Sequence, residues 1–175
     1  MRKILTATLA ASALAVAGSA GALTATTTFG VSATVLKTCS VAANPLGFGN
    51  YTPGAGALAA NTLVNVKCTK GTPFTVALNG GTTVGGTITQ RLMTNGTDTL
   101  QYNLYTTAAF ATLFGDGVTG STMPGAGTGL ATAVAVTVFG SLPDNATNQG
   151  VSTGAYGRAM SSSYNLREPA VELVL

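Results

Sequence analysis

Residues 23–40, LTATTTFGVSATVLKTCS, decide how the fold of this chain is interpreted. Small, apolar or threonine side chains recur there at every second position: Thr27, Phe29, Val31, Ala33 and Val35. This alternation predicts a β-strand with one buried face, because successive side chains of a strand point to opposite sides of a sheet. No turn sequence links the stretch to a following strand. It must therefore pair with an edge, either in its own chain or in another molecule.

The composition is that of one globular domain with few charges. The chain has 175 residues, enough to bury a core, and 46% of them are hydrophobic while 7% are charged. Such a chain is too apolar to be disordered. The formal net charge is +3, but Arg2 and Lys3 lie in a predicted leader, and the remainder has six Lys or Arg against five Asp or Glu. We expect no nucleic-acid partner, since no basic run could follow a phosphate backbone.

The first 22 residues have the organisation of a cleavable secretory leader. Arg2 and Lys3 precede an apolar run over residues 4–16, and the small residues 20–22, AGA, form a cleavage site. A transmembrane anchor is the alternative, but the run is shorter than the about 20 residues that a spanning helix needs. We expect cleavage before Leu23, export, and no stable membrane insertion of the mature chain.

Cys39 and Cys68 are the two cysteines of the chain. An even number of cysteines in an exported protein predicts a structural disulfide. A zinc site is a poor alternative because the sequence contains no histidine. No metal site and no cofactor are predicted.

The rest of the mature chain is predicted to form short strands separated by turns rich in Gly, Pro, Asn and Asp. The predicted strands cover residues 46–51, 58–69, 74–78, 100–105, 110–114 and 131–139, and residues 115–129 form a long loop. In the second of these strands Val64, Val66 and Cys68 share the core face. About seven short strands favour an antiparallel β-sandwich. A β-solenoid is the rival, but the sequence has no fixed repeat period.

Catalytic residues are sought mainly among three aspartates, Asp98, Asp116 and Asp144. Without histidine, a Ser-His-Asp or Cys-His nucleophile system is impossible. A carboxylate pair for glycoside hydrolysis could be assembled from the aspartates, but each lies in a predicted turn and is interpreted as a turn residue. Residues 125–129, GAGTG, lack the lysine and helix of a phosphate-binding loop. We predict no catalytic residue and no enzyme activity.

Several motifs, taken together and in order, resemble a spore coat protein U domain, the subunit type of archaic, Csu-like chaperone-usher pili of Gram-negative bacteria. The resemblance covers about residues 23–156. It rests on the leader, the alternating strand before Thr38-Cys39, and the segments 46–51 (LGFGNY), 66–69 (VKCT), 73–78 (PFTVAL), 100–105 (LQYNLY) and 138–143 (VFGSLP).

The resemblance implies an immunoglobulin-like antiparallel β-sandwich that is one strand short and is completed by donor-strand exchange. A periplasmic chaperone first fills the resulting groove, and at the outer-membrane usher the N-terminal strand of the next subunit replaces it. Residues 23–38 are then the donor strand and residues 39–156 the pilin domain. The implied plug side chains, which fill the groove of a neighbouring pilin subunit, are Thr27, Phe29, Val31, Ala33 and Val35. The implied product is a cell-surface pilus that supports adhesion and biofilm formation.

The tail, residues 157–175, departs from the family pattern. The family ends in a strand of alternating Val and Thr, whereas the tail is GRAMSSSYNLREPAVELVL and contains both glutamates of the chain. Either the last strand is divergent, or the reading frame changes after Tyr156 and the tail is not pilin sequence. A frameshifted chain would lose a strand that borders the groove.

Two other functions stay open at this point. One is a secreted envelope or spore-coat structural protein with a self-complete fold, in which the first strand pairs within its own chain. The other is a carbohydrate-binding β-sandwich module.

Overall fold

The computed structural model of the protein describes residues 24–157, 163–167 and 170–174. The chain divides into two compact units, Met1–Thr34 and Val35–Leu175. The predicted leader, residues 1–22, lies outside the described residues. Of the tail, Gly157 and two strands are described.

Nine strands and one short helix occur in the described part of the chain. In order they are β1 (Cys39–Ala43), β2 (Leu58–Cys68), β3 (Pro73–Ala77), β4 (Arg91–Thr94), β5 (Thr99–Tyr105), β6 (Met123–Ala126), β7 (Val134–Leu142), α1 (Ala146–Gln149), β8 (Ser163–Arg167) and β9 (Ala170–Val174). The predicted all-β class is thereby confirmed.

The first sheet has the strand order β1-β2-β7-β5-β4, and all its neighbouring strands are antiparallel. Strand β2, of 11 residues, has Leu58 level with Leu142 of β7, and Cys68 level with Cys39 of β1. At about 3.3 Å per residue these two levels are about 33 Å apart. We call them the Leu58 end and the Cys68 end of the sandwich.

The second sheet has the order β6-β3-β9-β8. Strands β3 and β6 are antiparallel, as are β8 and β9, but β3 and β9 are parallel. The antiparallel β-sandwich predicted from the sequence is therefore confirmed, with one parallel pair where the tail joins the sheet.

The core lies between the two sheets, and the predicted alternation of the strands selects its residues. Val64, Val66 and Cys68 of β2 are buried, as predicted. Alternate residues of three other strands are buried as well: Phe74, Val76 and Leu78 in and after β3, Leu100, Tyr102 and Leu104 of β5, and Val136 and Val138 of β7. Burying alternate side chains in this way removes one apolar face of each strand from water.

Three local predictions were wrong. Residues 46–51 form no strand, although Leu46 and Phe48 pack against the core. Residues 110–114 form only isolated bridges, and the predicted loop 115–129 contains β6. Helix α1 was also missed, because four residues are too few to show a helical period.

Candidate functional site

The N-terminal stretch 24–38 belongs to neither sheet and is assigned no strand or helix. Its large apolar side chains are among the most exposed in the described chain: Phe29 is 85% exposed, Val31 83% and Val35 80%. The other two predicted plug residues, Thr27 and Ala33, are exposed as well. Exposed apolar side chains that follow one another along a segment mark a surface that binds another protein.

An apolar cleft of about 370 Å³ opens on the core face of the first sheet. It begins where β1 ends, at Ala43, and its walls are mainly core side chains: Leu46, Phe48, Val64, Leu78, Met93, Tyr102, Leu104 and Val138. Gly140 of β7 makes this wall possible, because a Cβ there would lie 2.6 Å from the Leu46 side chain and 2.9 Å from the Phe48 ring.

A second cleft of about 610 Å³ adjoins the first and shares Leu46, Phe48, Met93 and Tyr156 with it. Its other walls include Leu142 and residues 151–155. We call the two clefts together the apolar groove. Strand β1 stands at the edge of the first sheet and pairs, among the described strands, with β2. An edge strand beside an apolar groove is the combination that accepts an added strand.

Asp144 fixes the loop that forms one wall of the larger cleft. Its Oδ1 atom accepts hydrogen bonds from the Tyr51 hydroxyl at 2.5 Å and the Gly54 amide at 3.0 Å, and its Oδ2 atom accepts one from the Gly56 amide at 2.8 Å. These bonds, that from Tyr51 above all, lower the pKa of Asp144 to about 2. Burial, followed by the bond to Asp144, raises the pKa of Tyr51 to about 12.

The other two aspartates also bind backbone amides. Asp98 Oδ2 accepts a hydrogen bond from the Ser152 amide at 2.9 Å, and the hydrogen bonds with Ser152 lower the pKa of Asp98. Asp116 Oδ1 accepts from the Thr119 amide at 2.6 Å and the Val118 amide at 2.9 Å, and these bonds lower its pKa. Asp116 has the predicted role within one turn, whereas Asp98 and Asp144 join segments that are distant in sequence.

Arg91 is fully buried, and no pattern in the sequence predicts this burial. Its guanidinium donates to four backbone carbonyl oxygens: Asn79 at 2.9 Å, Ile88 at 3.0 Å, Leu78 at 3.3 Å and Phe114 at 2.7 Å. A buried charge is tolerated only when hydrogen bonds replace its water. Arg91 thereby joins the base of the glycine-rich loop 79–90 to the segment after β5.

Asn148 of α1 is the second buried polar side chain that the sequence did not reveal. Its Oδ1 atom accepts from the Gln101 amide at 2.8 Å, and its Nδ2 atom donates to the Gln101 carbonyl at 3.0 Å. The Asn148 side chain therefore makes the two backbone hydrogen bonds to Gln101 that a neighbouring strand would otherwise make. A polar residue after the last predicted strand, in a sequence with no helical period, gave no indication of this contact.

The predicted disulfide joins Cys39 to Cys68, with 4.1 Å between their Cα atoms. Next to it, Thr69 Oγ1 accepts a hydrogen bond from the Thr38 amide at 3.0 Å and donates to the Leu36 carbonyl at 3.4 Å. The prediction of this bridge is confirmed. The bridge and Thr69 hold the chain where the exposed N-terminal stretch ends.

The described residues contain no group of three or more His, Cys, Asp or Glu side chains that could hold a metal ion. Within the same residues, no helix has the length and apolar character needed to cross a membrane.

A search of curated proteins finds no counterpart of this chain. The family model of the Spore Coat Protein U domain matches residues 25–160, which include the exposed N-terminal stretch, the disulfide and every strand from β1 to β7. Proteins of this family are structural, pilin-like and associated with a pilus or coat, and the family is not one of enzymes. The chain belongs to the Spore Coat Protein U domain family.

Proposed function

We propose that this protein is the structural subunit of a surface pilus that assembles head to tail by donor-strand exchange. In this proposal the plug side chains Thr27, Phe29, Val31, Ala33 and Val35 of one copy enter the apolar groove of the next. The fibre supports adhesion and biofilm formation.

The observation that carries the proposal is the exposure of an alternating apolar stretch. Phe29, Val31 and Val35 are at least 80% exposed, although their spacing is that of a strand with a buried face. Covering such side chains is favourable by about 25 cal/mol per Å² of apolar surface. In the described chain the stretch pairs with no strand, so a second copy supplies its partner.

The apolar groove supports the acceptor half of the proposal. It lies beside the edge strand β1, and Leu46, Phe48, Met93 and Tyr156 line it where its two clefts meet. Main-chain hydrogen bonds to an added strand supply the pairing, while pockets select alternate side chains. A contact between unlike surfaces, repeated from copy to copy, does not close and gives a fibre.

Export and assembly factors follow from the same proposal. The leader, residues 1–22, directs the chain to the periplasm, where a chaperone covers the groove until an outer-membrane usher exchanges it for the next subunit. Such cover is needed because an unpaired edge beside an apolar groove promotes aggregation.

Two explanations account for the unusual sequence of the tail: a change of reading frame and a divergent last strand. The family match ends at residue 160, and β9 joins β3 in the parallel sense, both of which suit a tail foreign to the domain. However, Val171 and Leu173 are level with the buried Phe74 and Val76, which suits a divergent strand adapted to this sheet. Reading the other two frames of the gene beyond Tyr156 distinguishes them. A strand of alternating Val and Thr in either frame supports the frameshift, and its absence from both contradicts it.

The experiment that tests the function compares Val31→Asp with Ser32→Asp. Both changes add one negative charge to an exposed position of the same stretch, but only Val31 belongs to the plug set. We expect Val31→Asp to abolish fibres, because an unpaired carboxylate would be buried in the groove. Ser32→Asp should assemble like wild type.

A deletion of residues 23–36 completes the test. The deleted chain should still bind its chaperone but form no fibre, as seen by electron microscopy and by the ladder of denaturant-resistant multimers on gels. Fibres from the deleted chain, or equal assembly of the two aspartate variants, would contradict the proposal.

A further inference from the structure

The three exposed lysines of the folded unit lie together at its Cys68 end. Lys67 precedes Cys68 in β2, and Lys70 follows two residues after it. Lys37 joins them because Thr69 hydrogen-bonds the backbone of Leu36 and Thr38, its neighbours on either side. This is also the end at which the N-terminal stretch leaves the sandwich, through Cys39.

Two carboxylates lie at the opposite, Leu58 end. Asp144 follows Leu142, which is level with Leu58, and binds the amides of Gly54 and Gly56 just before β2. Asp98 precedes β5, whose Asn103 is level with Ser141 of β7, so the start of β5 extends beyond Leu142. The low pKa of each group keeps both ionised at neutral pH.

The remaining charges do not alter this separation. The buried Arg91 guanidinium attracts the exposed Asp116 carboxylate and, after the Thr119 and Val118 amides, helps to lower the pKa of Asp116. The chain beyond Gly157 carries two arginines and two glutamates, which sum to zero. The folded unit therefore has three positive charges at one end and two negative charges about 33 Å away.

The larger cleft of the apolar groove lies at the negative end. Tyr51, which lines it, donates to Asp144, and Ser152, which also lines it, donates to Asp98. A head-to-tail contact brings the Cys68 end of one copy, from which the N-terminal stretch departs, toward this end of another copy. The contact thus pairs opposite charges.

We propose that the lysines Lys37, Lys67 and Lys70 of one copy and the carboxylates Asp98 and Asp144 of the next form a complementary pair of surfaces that speeds assembly and fixes its direction. This inference rests on the proposed head-to-tail function. Charges of this kind steer encounter and suppress wrong orientations, since two like ends repel. In a chain with so few charges, these five dominate the field between copies.

The test reverses the net charge of each end separately, and then of both ends together, in the full exported chain. Lys67→Glu with Lys70→Glu makes both ends negative. Thr97→Lys, Thr147→Lys and Gln149→Lys together make both ends positive at exposed sites near Asp98 and Asp144, and leave the two carboxylates in place. The combined variant carries all five substitutions and exchanges the signs of the ends, so its contacts are again complementary.

Light scattering measures the initial rate of assembly at 20 and 500 mM NaCl, values chosen so that the Debye length falls from about 20 Å to about 4 Å. We expect each single-end variant to assemble about tenfold more slowly than wild type at low salt. The combined variant should assemble about threefold faster than either single-end variant, and high salt should remove the differences. Thermal unfolding checks that the variants fold.

The experiment distinguishes failure of the charge pairing from failure of the proposed function. Wild-type assembly that depends on the N-terminal stretch, but with equal rates for all variants or no rescue in the combined variant, would overturn the charge pairing and leave the proposed function standing. Wild-type chains that form no fibres, or that form them without residues 23–36, would overturn the function and the charge pairing with it.

Discussion

The N-terminal stretch and strand β5 have the same sequence pattern and opposite environments. In β5, Leu100, Tyr102 and Leu104 alternate with polar residues and are buried. In the N-terminal stretch Phe29 and Val31 alternate in the same way and are more than 80% exposed. Strand β5 has a neighbour on each side, whereas the stretch has none in the described chain. Alternation therefore specifies which face a strand will bury, while the burial itself requires a partner.

The largest expected effect is a loss of stability of the β-sandwich, and it comes from Arg91→Met. This change leaves the buried carbonyls of Leu78 and Phe114, and the partly buried carbonyls of Asn79 and Ile88, without their charged donor. We expect a loss of about 3 to 5 kcal/mol in unfolding free energy, measured by denaturant titration. Lys70→Met removes an exposed cation and is the matched control, for which a change within about 0.5 kcal/mol is expected. Equal effects would contradict the role of Arg91.

Removal of the disulfide tests the junction between the two regions. The bridge closes a separation of 29 residues, and the chain-entropy estimate for such a loop is about 3 to 4 kcal/mol. Cys39→Ala with Cys68→Ala should lower the unfolding free energy by about this amount. Wild type in reductant should behave in the same way. A loss below about 1 kcal/mol would show that the junction is held by other contacts, such as those of Thr69.

A matched pair of truncations compares the contribution of a β5 side chain to stability with that of a side chain in the N-terminal stretch. Leu104 is 1% exposed, so Leu104→Ala should cost about 3 kcal/mol of unfolding free energy through lost burial and a cavity. Val31→Ala should change the stability of the unassembled chain by less than about 0.5 kcal/mol, because Val31 is 83% exposed. In the assembled fibre, Val31→Ala should lower stability. Destabilisation of the unassembled chain by Val31→Ala would mean that the stretch is already part of a core.

The smallest effect concerns the loop at the groove. The pKa of Asp144 is lowered to about 2 in the folded chain, so its bonds stabilise the loop above its ordinary pKa and are lost as pH falls from about 4 to about 2. The amides of Gly54 and Gly56, which donate to Asp144, should lose their hydrogen-exchange protection over this interval. In Asp144→Asn the protection should be lower at neutral pH and independent of pH. A wild-type profile in that variant would exclude Asp144 as the cause.

The sequence predicted the strands better than the contacts between them. The cores of β2, β3, β5 and β7 follow from period-two alternation, and the disulfide from two cysteines in an exported chain. Burial of Arg91 could not be predicted, since its acceptors are backbone carbonyls that any sequence provides. The predicted strand at Leu46 and Phe48 is wrong because apolar spacing alone does not distinguish a strand from a loop lying on the core.

In the N-terminal stretch, too, the sequence predicts the alternating side chains but not the contacts that they make. Its plug set of five residues was identified from the sequence, together with the question of which edge it meets. The structure places none of the five in a strand of the described chain. In the proposed assembly their partner lies in a second copy of the protein, which one chain does not display.

Hydrogen exchange of residues 27–35, compared between the unassembled chain and the fibre, tests the central claim most directly. Every second amide in this stretch should exchange rapidly in the unassembled chain and become strongly protected in the fibre, because it then donates to a neighbouring copy. The amides of Leu100, Tyr102 and Leu104 serve as the internal standard and should be protected in both states. Rapid exchange of residues 27–35 in the fibre, or protection before assembly, would contradict donor-strand exchange.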